Sequence, residues 1–146
     1  MTNKFTQKAQ NTLSRALSSA RELGHTYVGS EHLLFALLTE KDSISARLLL
    51  SKGADPDKLK KSIVELAGIG TPSRVSPSDM TPRVRKIIEA SAAESEKSGT
   101  NYIGTEHLLM ALLNERDSVG VRLLEAEGIL PSELKGSLEK IPHILP

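Results

Sequence analysis

Apolar residues recur along this chain at helical spacing, in eight blocks separated by caps and stops. Ala9, Leu13, Ala16, Leu17, Ala20 and Leu23 lie three or four positions apart, which predicts an amphipathic helix over about 6–23. Thr6 stands where an N-cap belongs, Phe5 where a hydrophobic staple begins, and Gly24 where the helix should stop. The second block has a different character. Leu33 to Leu38 is nearly unbroken in apolarity behind Gly29-Ser30-Glu31-His32, and a helix apolar on most sides is buried on most sides. It is expected to run from Ser30 to Thr39-Glu40, with its polar start reaching the surface. A third helix opens at Asp42-Ser43, carries Ile44, Leu48 and Leu49, and stops at Gly53. Asp55-Pro56 caps a fourth, whose stripe of Leu59, Ile63 and Leu66 ends before Gly68.

Residues 68–79 hold two glycines, two prolines and three serines with little periodicity, and read as a linker. The pattern then starts again. Met80-Thr81-Pro82 opens a fifth helix with Val84, Ile87, Ile88 and Ala92, ending near Ser98-Gly99. A sixth starts at Thr105, a seventh spans Ser118 to Glu127 before Gly128, and an eighth opens at Pro131 with Leu134 and Leu138. Sustained alternation and tight hairpin turns are missing. The expectation is therefore an all-α fold of eight helices.

The two series are one unit written twice. Gly29-Ser30-Glu31-His32-Leu33-Leu34-Phe35-Ala36-Leu37-Leu38 returns 75 residues later as Gly104-Thr105-Glu106-His107-Leu108-Leu109-Met110-Ala111-Leu112-Leu113. Over Gly24–Leu49 and Gly99–Leu124, 16 of 26 positions are identical, and Thr6 pairs with Thr81, Gly53 with Gly128 and Pro56 with Pro131. A unit this long exceeds the usual solenoid periods, so a closed pair is expected. The reading is one domain over 1–146, with repeat one at 5–67, a linker at 68–79, repeat two at 80–141 and a tail at 142–146. A pseudo-two-fold would place the second and sixth helices in a shared core.

Composition narrows the function. The net charge is +1, split as +3 up to Ser73 and −2 after it, with no basic tract. Aromatics amount to Phe5, Tyr27, Phe35 and Tyr102, so neither phosphate-driven nor stacking-driven nucleic-acid binding is supported. Cysteine is absent, and no apolar run approaches the ~18–20 residues that span a bilayer. The first residues lack a signal-peptide core, and a cytoplasmic location is expected. Neither a phosphate-binding Gly-Lys-Ser/Thr loop, a Gly-x-Ser-x-Gly elbow nor a metal-ligand cluster is present, so neither catalysis nor a cofactor is expected.

The remaining chemistry sits at the starts of the second and sixth helices. Free N–H groups there attract anions, helped by the Ser30 or Thr105 hydroxyl. Glu31 and Glu106 would repel a simple phosphate, but they suit a ligand carrying a cation and an anion together. The plainer reading makes each glutamate a partner of the helix dipole. His32 and His107 read as packed, hydrogen-bonded residues, Thr6 and Thr81 as caps near those helix starts, and Tyr27 and Tyr102 as packing residues with a wet hydroxyl. His25 has no partner pattern, and Lys60-Lys61 with Arg83, Arg85 and Lys86 read as solvated faces.

Tyr27-Val28-Gly29-Ser30-Glu31-His32-Leu33-Leu34, its second copy at Tyr102–Leu109, Phe5-Thr6-Gln7-Lys8-Ala9 and Met80-Thr81-Pro82-Arg83 together resemble the Clp amino-terminal domain, and most nearly that of the ClpC branch. The resemblance implies a compact two-repeat domain that precedes the ATPase modules of a protein unfoldase and recruits substrates and adaptor proteins. It also implies docking of phosphorylated arginine at two sites. Glu31 and Glu106 would take the guanidinium, and backbone groups with Thr6, Ser30, Thr81 and Thr105 nearby would take the phosphate. Ser30 departs from the usual threonine, and Ala36 and Ala111 stand where glycine is common. Two settings stay open, a docking domain of a longer Clp unfoldase and a stand-alone adaptor or regulator of one; the isolated domain is expected to be a monomer.

Overall fold

Local capping chemistry sets the helix boundaries in the computed structural model, which describes residues 4–141. The tail expected at 142–146 lies outside the described residues. The Thr6 hydroxyl accepts the Ala9 N–H at 3.1 Å and starts α1 (Gln7–Glu22). Gly29 precedes α2 (Ser30–Thr39), the Ser43 hydroxyl accepts the Ala46 N–H ahead of α3 (Ile44–Ser51), and Asp55 with Pro56 opens α4 (Pro56–Ala67). The second half repeats this. Thr81 caps α5 (Pro82–Lys97), Gly104 precedes α6 (Thr105–Asn114), Ser118 caps α7 (Val119–Ala126), and Pro131 opens α8 (Pro131–Glu139).

Two features were not expected. β1 (Lys4–Phe5) and β2 (Tyr102–Ile103) form a parallel ladder, and Val28 makes an isolated parallel bridge to Met80. Segments of two residues are too short to show alternation, so no sequence pattern announces them. The 68–79 segment also carries one turn of 3-10 helix at Pro77–Asp79.

The core is built on α2 and α6. Leu33, Leu34, Leu37, Leu108, Leu109, Leu112 and Leu113 are all buried in one cluster with Leu49, Leu59, Ile63, Ile87, Leu124 and Leu134. Within each half, α1 packs on α2 and α5 on α6. Across the halves, α2 packs on α7 and α3 on α6, so each half lends a helix to the other's central one. Past the ends of the central helices, Glu40 pairs with Arg15 at 3.4 Å, and Glu115 pairs with Arg83 at 3.4 Å and Lys86 at 3.3 Å. The cluster read as a solvated face therefore ties α5 to α6, and Arg85 ties back to the Ser78 and Met80 carbonyls.

Candidate functional site

The parallel ladders bring the helix starts together crosswise. The Thr6 N–H donates to the Ile103 carbonyl at 2.9 Å, which sets the start of α1 beside Gly104-Thr105-Glu106. The Thr81 N–H donates to the Val28 carbonyl at 3.0 Å, which sets the start of α5 beside Gly29-Ser30-Glu31. Each junction thus joins the threonine of one half to the glutamate of the other. Two positive helix ends converge on each.

The polar start of α2 and α6 does not reach the surface as expected. Ser30 and Glu31 are each 4% exposed, Thr105 is 3% and Glu106 is 5%. The hydroxyls hold the two halves together instead. Ser30 Oγ accepts the Gly120 N–H at 2.9 Å and Thr105 Oγ1 accepts the Ser45 N–H at 3.2 Å, so each caps the first turn of a helix in the other half. The carboxylates fold back over the N-cap glycines. Glu31 Oε1 lies where a Cβ on Gly29 would sit, and Glu106 Oε1 does the same over Gly104. Glycine at these positions is what leaves room for the carboxylate.

Aromatic groups complete the first-half junction. The Tyr27 hydroxyl donates to Glu31 Oε2 at 3.1 Å, and burial, with the Glu31 charge behind it, pushes the Tyr27 phenol up to about 12. In the second half Tyr102 is raised by the same causes in the same order, with Glu106 as the charge. The histidines do the backward reach that an acidic residue often does at the third helical position. His32 Nδ1 accepts the Gly29 N–H at 2.9 Å and His107 Nδ1 accepts the Gly104 N–H at 2.9 Å, as expected of packed histidines. His25, read as having no partner, lies 2.7 Å from His32 Nε2 through its Nδ1. Burial, and then His25 beside it, holds His32 down at about 4.

Two cavities lie behind these junctions at equivalent positions. The first, of about 120 Å³, is lined by Glu22, His32, Phe35, Lys60, Ile63 and Ile69. The second, of about 620 Å³, is lined among others by Lys97, Glu106, His107, Met110, Lys135 and Leu138. Most of these residues match at the 75-residue offset, Lys60 with Lys135 and His32 with His107 among them, so the repeat itself carried the signal for residues that motif reasoning passed over.

A protein-family model described as the Clp repeat (R) N-terminal domain matches residues 4–141. The chain belongs to the Clp repeat N-terminal domain family. Similar relatives include the negative regulator of genetic competence ClpC/MecB of Bacillus subtilis, 37% identical over 129 residues, and the chaperone protein ClpB of Oceanobacillus iheyensis, 36% identical over 129 residues. In both cases the match covers 88% of this chain and 16% of the relative's length. Among solved structures, the N-terminal domain of ClpD from Arabidopsis thaliana superposes with a TM-score of 0.78 at 22% identity, covering 93% of this chain and 95% of that one. A complex of the ClpV N-domain with a VipB peptide superposes with a TM-score of 0.67 at 22% identity, covering 94% and 86%.

These comparisons establish a Clp-type N-terminal repeat domain without separating the ClpC type from ClpB, which match almost equally well. In this family the repeat domain is non-catalytic. Among the described residues no group of three or more histidines and carboxylates is placed to hold a metal ion, and no helix is long and apolar enough to cross a membrane. Of the six residues expected at the Clp-type site, the ladders bring Thr6 to the start of α6 and Thr81 to the start of α2. Ser30 and Thr105 are turned toward the opposite half.

Proposed function

We infer that this chain is a docking domain for protein substrates and adaptors of a Clp-type ATPase, nearest to the ClpC type by its Gly-Ser/Thr-Glu-His motif and acting in the cytoplasm. Its two crosswise junctions take a phosphoarginine-type group, one per junction. The observation that supports this most is the meeting, twice over, of two helix starts with a threonine and a carboxylate. The helix ends and their N–H groups favour the phosphate, with Thr6 or Thr81 beside it. The carboxylate favours the guanidinium, since a planar cation with several N–H donors in a fork matches its two oxygens. Tyr27 gives Glu31 one donor, and a carboxylate accepts several, so the carboxylate turns from Gly29 toward the ligand while keeping acceptor capacity. Ser30 and Thr105 serve the site by anchoring the backbone that carries the N–H groups. That a ClpV N-domain was solved with a peptide agrees with a docking role.

Calorimetric titration with phosphoarginine, against phosphoserine as control, is the test. Two equivalents are expected to bind, Glu31→Ala or Glu106→Ala each leaving one and the double substitution leaving none. Equal heats for the two ligands, or unchanged binding in the double variant, would overturn the reading.

A further inference from the structure

The two halves differ at one buried polar cluster. In the first half His25 is 5% exposed and His32 fully buried, and the repeat offset puts Thr100 where His25 stands. The His25 and His32 rings form a relay between two backbone groups of fixed character. At one end the Gly29 N–H, which can only donate, meets His32 Nδ1 at 2.9 Å. At the other, His25 Nε2 meets the Gly68 carbonyl, which can only accept, at 2.8 Å. His32 Nδ1 must therefore be bare and its Nε2 protonated. That proton goes to His25 Nδ1, 2.7 Å away, and His25 keeps its own on Nε2. Two ring protons complete three hydrogen bonds. A third proton has no place, because either free nitrogen already faces an N–H.

The far end of this relay holds a strap. Residues 68–73 turn back over the end of α1: the Gly70 N–H donates to the Leu23 carbonyl at 2.9 Å, the Ser73 N–H to the Arg21 carbonyl at 3.0 Å, and the Ser73 hydroxyl to the His25 carbonyl at 2.6 Å. Gly24, at φ +77°, lets the strap lie so close that a Cβ there would meet the Gly70 carbonyl carbon at 2.6 Å. Ile69 on the strap walls the first-half cavity. We propose that the His25–His32 pair is an acid-sensitive bolt: a third proton fits only when His25 swings off His32, and that swing takes its Nε2–H from the Gly68 carbonyl, frees the Gly68–Ser73 strap and opens the first-half cavity while the rest of the fold stays closed.

The surroundings decide whether a charged imidazole is tolerated. Tyr27 stacks on His25 at 5.7 Å and 4° and meets His32 edge-on at 5.4 Å, but its hydroxyl is committed to Glu31. Glu22 of α1 and Lys60 of α4 flank the cavity with opposite charges, and Arg21 is tied to the Val75 carbonyl. Burial holds His32 low, in keeping with a closed form that refuses the proton. Below the ordinary histidine value the open form takes up a proton that the closed form does not, so strap closure weakens by about tenfold per pH unit.

Amide exchange followed by NMR on the whole chain, corrected for intrinsic rates, tests this between pH 7 and pH 5. Protection of the Gly70 and Ser73 amides is expected to fall by more than about tenfold, with α6 amides holding theirs. His25→Gln keeps the relay, since its amide oxygen accepts from His32 and its NH₂ donates to Gly68, but it cannot titrate; its strap should stay protected at both pH values. His25→Ala should lose strap protection already at pH 7. Ring nitrogen shifts should show both histidines protonated at Nε2. The proposal is overturned by a flat profile, by an equal fall in His25→Gln, by a fall shared with α6, or by the other tautomer on either ring.

Discussion

Ser30 and Gly120, ninety residues apart, are joined by a 2.9 Å bond in which the Ser30 hydroxyl caps an N–H at the start of α7. Thr105 does the same for Ser45 at the start of α3. Removing either hydroxyl leaves a buried N–H without its partner. Ser30→Ala and Thr105→Ala are each expected to destabilise the fold by about 1–2 kcal/mol in denaturant titration. The pair should be close to additive, since the two bonds share no atoms. A change in either below the error of the titration would show that water replaces the hydroxyl.

Gly120 and Gly136 make opposite predictions for one substitution. A Cβ on Gly120 would stand 3.0 Å from the Ser30 carbonyl oxygen, which is backbone and cannot swing aside. Gly120→Ala should cost about 1–3 kcal/mol by pushing α7 off α2. On α8 a Cβ at Gly136 meets nothing within 4 Å, so Gly136→Ala should stabilise by about 0.5–1 kcal/mol through helix propensity alone. Thermal unfolding of the two variants would separate contact from propensity.

At Gly29 and Gly104 the backbone is extended, with φ −103° and −100°, so alanine fits the chain itself. It does not fit the carboxylate folded over each glycine. Gly29→Ala and Gly104→Ala should therefore displace Glu31 and Glu106 and weaken ligand binding at their own junctions only, with the partner junction keeping its affinity in the same calorimetric titration.

His32 sets an acid limit on stability. Its folded value is depressed to about 4, from the ordinary value of 6.5. Its contribution is complete above pH 6.5 and is lost as the pH falls toward 4, because the unfolded chain takes up a proton first. The loss amounts to about 3 kcal/mol over that window. His32→Asn should flatten the stability profile between pH 6.5 and 4 while lowering stability at pH 7, as measured by urea titrations at stepped pH.

The helix pattern could be read from the chain because its causes are local. Thr6, Ser43, Asp55, Thr81 and Ser118 cap the helices they precede, and the apolar runs at Leu33–Leu38 and Leu108–Leu113 bury themselves. The site was legible only as a set of residue types. Nothing in the sequence near Ser30 says that its hydroxyl serves a helix ninety residues away, or that Glu31 curls over its own N-cap. Both follow from how the halves meet. His25 escaped notice for the same reason: its partners, His32 and Gly68, come together only when the strap folds back.

The crossed hydroxyl bonds also bear on how the molecule can be taken apart. Each half supplies a hydroxyl to a first-turn N–H that the other half's own capping serine leaves unserved, so the halves hold one another by bonds that do not run through the peptide joining them. A cut in the 68–79 segment would leave a non-covalent heterodimer. Either half alone would leave one first-turn N–H without its hydroxyl and would be short of the helix that covers its central one. The unit of folding is therefore the pair, and a single repeat would meet its needs only by clasping a second copy in the same crossed grip.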